Sequence, residues 1–199
     1  MDIERRIKEH FDASATAITA AAKALTPAIS QAAQAAVGTL TSGGKLLICG
    51  NGGSASDALH FAAELVCRYQ RERQALAAIA LPADTATLTA AGNDYDFERV
   101  FSRQVEALGR PGDLLVVITT SGNSPNILKA VRAAAGIEHL GIIALNGKDG
   151  GQLSTLLRST DIELRVPAIS TAHIQEVHAI IIHCLCDLID QHFISDPER

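Results

Sequence analysis

From Lys45 onward, short apolar runs alternate with longer amphipathic ones, and this alternation constrains the fold more than any other feature. Runs at 46–49, 77–81, 114–119, 141–145 and 162–166 read as strands. Between them, helical patterns cover 54–69, 97–108, 125–135 and 152–157, and a long amphipathic helix spans 171–193. Strands that are apolar at every position are buried on both faces, so the pattern predicts a parallel sheet covered by helices on each side. The 199 residues fit one domain over 1–199, with an α/β core at 45–193. Residues 1–42 read as a helical extension. Ile3, Ile7, Phe11, Ala15, Ile18, Ala22 and Leu25 recur at three- and four-residue steps and form an apolar stripe. Pro27 suits the first turn of a second helix that Ser42-Gly43-Gly44 ends. This alanine-rich pair precedes the first strand, so it is expected to pack outside the sheet or against another subunit and to serve oligomerisation.

Charge and composition exclude several functions. Lys plus Arg is 17 against 22 Asp plus Glu, a net charge of −5, where a nucleic-acid binder would show a basic surplus. Aromatics make up 4% with no Trp, too few for base-stacking platforms. The charged start MDIERRIKEHF is unlike a secretion signal, and the uncharged part of 24–44 is too polar to cross a bilayer. No membrane partner is expected. The four cysteines, Cys49, Cys67, Cys184 and Cys186, form no CxxC pair and read as reduced, mostly buried thiols of a cytoplasmic protein.

In parallel sheets of this kind ligands bind beyond the carboxyl ends of the strands, where strand order reverses. The first strand runs through Gly50-Asn51-Gly52-Gly53-Ser54 into a helix. Such a loop is either a tight turn capped by Ser54 or a place where backbone and helix N-terminus approach an anion or a polar sugar. The Gly-Lys-Ser/Thr ending of a nucleotide P-loop is absent. The third strand runs through Thr119-Thr120-Ser121-Gly122-Asn123-Ser124-Pro125 into another helix, and its hydroxyls and N–H groups suit a neutral phosphate cradle. Two such loops on one sheet point to a phosphorylated sugar.

His60 and Glu64 share a helix face and can meet at one metal or one substrate. Their apolar neighbours Phe61, Ala62, Ala63 and Leu65 suggest a partly buried wall. Gln175 and His183 lie eight residues apart, about 80° round the helix and ~12 Å along it, and spacing alone does not make them ligands of one ion. Glu176 and His178 read as surface residues. Gly92-Asn93-Asp94-Tyr95 reads as a turn, or as a carboxamide and a carboxylate presented to sugar hydroxyls.

The chain resembles the sugar isomerase (SIS) domain family over nearly its full length. The resemblance rests on the N-terminal helices and on GNGGSASDALHFAAEL at 50–65, GNDYDFERVFSRQVEALG at 92–109, TTSGNSPN at 119–126 and TAHIQEVHAIIIHCLCDLID at 171–190. It implies a homotetramer with a five-stranded parallel sheet and the aldose–ketose conversion of sedoheptulose 7-phosphate to a heptose 7-phosphate for lipopolysaccharide. It also implies one zinc ion per subunit, held by His60, Glu64, Gln175 and His183. The implied substrate contacts are Asn51, Gly52, Gly53, Asn93, Asp94, Thr119, Thr120, Ser121 and Ser124, together with Glu64 and Gln175. Three positions depart from the family pattern: Thr119 replaces a frequent Ser, His173 stands at an expected Arg, and Ala77 replaces a usual Pro. A relative of the same fold is a tetrameric partner of the bacterial replication initiator. That protein lacks the acidic and histidine ligands at the positions of Glu64 and His183, which this chain retains. An aldose–ketose conversion needs a base, an acid and stabilisation of an oxyanion, and Glu64 and His183 are the expected base and acid.

Overall fold

In the computed structural model, which describes residues 2–194, five parallel strands form one sheet in the order β2-β1-β3-β4-β5. The strands are β1 (Leu46–Gly50), β2 (Ala78–Ala80), β3 (Leu114–Ile118), β4 (Gly141–Gly147) and β5 (Ile162–Val166). Seven helices surround them: α1 (Ile3–Thr41), α2 (Gly53–Val66), α3 (Thr85–Asp94), α4 (Ser102–Leu108), α5 (Pro125–Ala135), α6 (Gly151–Leu156) and α7 (Thr171–Phe193). Every residue of β1 and β3 is buried, as their unbroken apolar sequences require. Alternation along each strand then divides two cores. Leu46, Ile48, Leu114, Val116 and Ile118 pack with α1, α2 and α7, whereas Leu47, Cys49, Leu115 and Val117 pack with α4 and α5.

The expected helical pair is one helix. Proline inside a helix removes a hydrogen bond and costs about 3 kcal/mol, yet α1 runs through Pro27 without ending. Packing accounts for its survival. Ala17, Ala21 and Leu25 before Pro27 and Ala32, Ala36 and Leu40 after it are all buried, and the half-buried Ala28 keeps the stripe in phase between them. This buried stripe, which packs on α7 and β5, shares only Leu25 with the one read from the sequence. Ile3, Ile7 and Phe11 are 63%, 54% and 71% exposed in the single chain.

Other local expectations shift for similar reasons. The 85–94 stretch is helical, capped by Asp84, whose carboxylate accepts from Thr87 N. Asn93 and Asp94 therefore sit at the C-terminal end of α3 rather than in a turn. His178 is fully buried on the inner face of α7 and contacts the Asn146 carbonyl oxygen through Nε2 at 3.0 Å. Burial pushes its imidazole down to about 4. All four cysteines are free; Cys49 and Cys186 are buried, but Cys67 and Cys184 are exposed. Helix α7 has the length and hydropathy of a membrane span, but Ile174, Val177, Ile181, Ile182, Leu185 and Ile189 are buried in the domain core.

Candidate functional site

Strand order reverses between β1 and β3: the chain leaves β1 to build β2 on one side and returns to build β3 on the other. The register Gly50↔Ile118 brings their carboxyl ends level, so the two loops singled out above open side by side. Each leads into a helix N-terminus, that of α2 or α5. Two positive dipole ends thus converge on one crevice.

Neither loop uses its hydroxyls as helix caps. Gly52, at φ +56°, is the residue preceding α2, and Ser54 is buried inside the first turn. Ser124 precedes α5 without a capping bond from its side chain. Thr119 Oγ1 accepts from Ser121 N and Gly122 N at 3.4 and 3.3 Å and so shapes the second loop. At Gly122, with φ +65°, a Cβ would collide with the Gly150 carbonyl, so only glycine lets this loop pass so close to the turn after β4. Asn51 and Asn126 exchange two amide hydrogen bonds of 2.8 Å and clasp one loop to the other. Asn126 is 2% exposed and also accepts from Ile127 N. It lies within the TTSGNSPN motif, but its partner is 75 residues away, and no sequence signal marks the pair.

These elements enclose a cavity of about 150 Å³ lined by Asn51, Ser54, Thr119, Thr120, Ser121 and Ser124. Ligand pockets typically measure about 300–1,000 Å³, so the recess has the size for one polar end of a ligand. No charged side chain lines it.

A second cluster lies along α2 and α7. Asp57, His60 and Glu64 fall on successive turns of α2, and His60 Nε2 is 3.0 Å from Glu64 Oε1. His60 is more open than its apolar neighbours suggest, with 43% of its side chain exposed against 21% for Glu64. From α7, His183 meets His60 edge to face at 5.1 Å, and Tyr69 stacks on the His183 ring at 5.6 Å. Gln175 occupies the space where a Cβ on Gly53 would stand, and its Nε2 lies 3.5 Å from Asp57 Oδ2. It thus reaches from α7 to the start of α2, between cradle and cluster. Burial raises the Asp57 carboxyl above its ordinary range, against the lowering effects of Gln175 and His60. Asp57 escaped the sequence reading, although its i, i+3, i+7 spacing with His60 and Glu64 places all three on one helix face.

The fold therefore brings His60, Glu64 and His183 together, with Gln175 beside them. The three titratable residues do not close a compact set: among the described residues, the group whose ligand atoms all lie within 4.8 Å of one another is His10, His173 and Glu176. Asn93 and Asp94 are exposed and hydrogen-bonded to each other at 2.8 Å. Among the described residues, no side-chain hydrogen bond joins them to either loop.

Arg73, also unmarked in the sequence, holds α2 against α7. Its side chain is 0% exposed; Nε donates to Asp190 Oδ1 at 2.7 Å, and the guanidinium also donates to the Glu64 and Leu65 carbonyls at the end of α2. The pair thus ties the end of α2, where Glu64 sits, to α7.

The SIS domain family model matches residues 9–147, and the chain belongs to that family. Within it, the phosphoheptose isomerase of Chromohalobacter salexigens is 52% identical over 198 residues, covering 100% of both chains. That of Aromatoleum aromaticum is 55% identical over 190 residues, 96% of each chain. The solved structure of a phosphoheptose isomerase from Francisella tularensis superposes with a TM-score of 0.93 at 50% identity, covering 96% of this chain and 100% of that one.

Proposed function

We propose that the protein is an aldose–ketose isomerase that converts sedoheptulose 7-phosphate to D-glycero-D-manno-heptose 7-phosphate, a precursor of lipopolysaccharide heptose. The observation that carries this reading is the pairing of a neutral, phosphate-sized recess at two helix N-termini with a carboxylate–imidazole cluster further along α2. Ser54 and His60 are six residues apart on α2, about 9 Å of helix rise. A substrate anchored by its phosphate would lay its carbonyl end toward Glu64. The full-length phosphoheptose isomerase relatives support the same substrate.

In this reading Thr120, Ser121 and Ser124 offer hydroxyls to the phosphate, while Thr119 shapes their loop. Asn51, Gly52 and Gly53 line the near side. Asn93 and Asp94 meet sugar hydroxyls. The Glu64 carboxylate takes the proton from C1 of the ketose and returns it to C2 of the enediolate. His183 moves the proton between the two oxygens. Gln175, set against Gly53 and Asp57, orients the sugar between cradle and cluster.

The donor set of two imidazoles, one carboxylate and one carboxamide suits a zinc ion. His60, Glu64, Gln175 and His183 would hold it. Zinc bound there would supply charge to stabilise the developing oxyanion. The exposed Ile3, Ile7 and Phe11 stripe supports a homotetramer built on α1, for which light scattering should give about four times 20.9 kDa. Four free cysteines support a reducing, cytoplasmic setting.

The deciding experiment incubates zinc-loaded protein with sedoheptulose 7-phosphate and follows the aldose product. Turnover is expected. Its absence, together with binding to a replication initiator that Glu64→Gln leaves intact, would return the fold to a binding role.

A further inference from the structure

We propose that His10, His173 and Glu176 form a second divalent-metal site, of the zinc class, that ties the projecting start of α1 to the first turns of α7. The three residues come from two helices. His10 Nε2 lies 3.7 Å from Glu176 Oε1, and His173 Nδ1 lies 3.2 Å from Glu176 Oε2. All three ligand atoms fall within 4.8 Å of one another. Ligands around a tetrahedral zinc, with bonds near 2.0–2.1 Å, stand about 3.3–3.4 Å apart. Each imidazole nitrogen thus faces its own oxygen of the Glu176 carboxylate at a distance near that spacing.

The rings of His10 and His173 approach to 4.9 Å between centroids at an interplanar angle of 47°. Ser14 Oγ, one turn beyond His10, is 3.1 Å from His173 Nδ1 and lies beside the same point. Two imidazoles and one carboxylate favour zinc, cobalt, nickel or copper over the harder magnesium and calcium. Three protein ligands leave a coordination position open. A recess of about 460 Å³, lined by Arg6, Ile7, Glu9, Phe11 and both histidines, adjoins it and has room for a water in that position.

This site faces away from the cluster on α2: Gln175, although next to Glu176 in the chain, reaches Gly53 and Asp57, whereas Glu176 meets His10 and His173, and His183 is ten residues beyond His173, about 15 Å of helix rise. Nor does it depend on the isomerase reading, because its geometry involves neither the cradle nor Glu64.

It also has a distinct consequence. Residues 2–13 are exposed along their whole length, and the first buried residue of α1 is Ala17. The contacts among His10, Ser14, His173 and Glu176 join this projecting segment to the domain. A metal held there would set the direction of the segment that carries Ile3, Ile7 and Phe11.

The test is a calorimetric titration of chelator-stripped, full-length protein with zinc chloride, repeated with Co2+ to read the ligand field. The His60→Ala/His183→Asn variant removes the α2–α7 cluster as a competitor. In that background the chain should still bind about one zinc per subunit. Affinity should fall at least tenfold when His10→Ala or Glu176→Gln is added, and Co2+ should give the absorption of a nitrogen- and oxygen-ligated tetrahedral ion. Thermal melting of each variant without metal verifies folding, and His10, exposed on α1, is the substitution least able to disturb it. Absence of zinc binding in the His60→Ala/His183→Asn background would overturn the proposal. So would binding that His10→Ala and Glu176→Gln leave unchanged.

Discussion

The phosphate-sized cradle and the His–Glu cluster are built in opposite ways. The recess is made of two short loops whose shape is held by backbone bonds to Thr119, by the conformation of Gly122 and by the Asn51–Asn126 clasp. The cluster is made of side chains from two helices, and their spacing rests on how α2 and α7 are packed. The contrast teaches that each loop of the recess is written locally, in the residues that follow one strand, while the sheet register sets the two loops side by side. A place to move a proton needs groups that only tertiary packing can bring together.

Separating the two regions calls for variants that damage one and spare the other. The largest effect is expected at Arg73→Ala. Removing one partner of a buried ion pair costs about 3–5 kcal/mol, and here it leaves Asp190 and the carbonyls at the end of α2 without their donor. Chemical denaturation should show the loss. At temperatures where the variant is folded, turnover should fall more than sugar-phosphate binding. An equal fall in both would mean that the cradle also leans on the α2–α7 contact.

Glu64→Gln addresses the cluster without disturbing the packing. It keeps the size and removes the charge, and turnover should drop at least ~10²-fold, the low end for a lost general base. His183→Asn should act in the same direction. Zinc content should decline in both, and sugar-phosphate binding measured by calorimetry should fall far less than turnover. Full activity in Glu64→Gln would remove this residue from the mechanism.

Asn126→Ala attacks the cradle from beneath. It leaves the Asn51 amide without its partner, and an unsatisfied polar group of this kind costs about 1–3 kcal/mol. Melting temperature and phosphate affinity should fall together, with zinc content unchanged. The smallest effect is expected for Ser121→Ala and Ser124→Ala. Each should weaken sugar-phosphate binding by about 1–2 kcal/mol per lost hydrogen bond, with stability nearly constant because neither hydroxyl caps α5. Unchanged binding in the double variant would move the phosphate elsewhere.

The sheet and both loops were legible in the sequence because they depend on neighbours in the chain. A strand buried on both faces must be apolar throughout, and a loop entering a helix must carry residues that tolerate its turn. His60 and Glu64 were legible for the same reason, since a four-residue step shares a helix face.

What spans the chain was not legible. Pro27 reads as a helix start on local grounds, but the buried stripe on either side holds α1 continuous across it. His178 reads as a surface residue until α7 turns it inward onto the Asn146 carbonyl. Gln175 is eight residues from His183 and gains its place from Gly53, more than a hundred residues earlier. Arg73, Asn126 and the His10–His173–Glu176 group join residues about 75 to 165 positions apart. Local spacing determines which residues share a face. Which faces meet is decided by the burial of two whole cores, a property of the complete fold that no short segment carries.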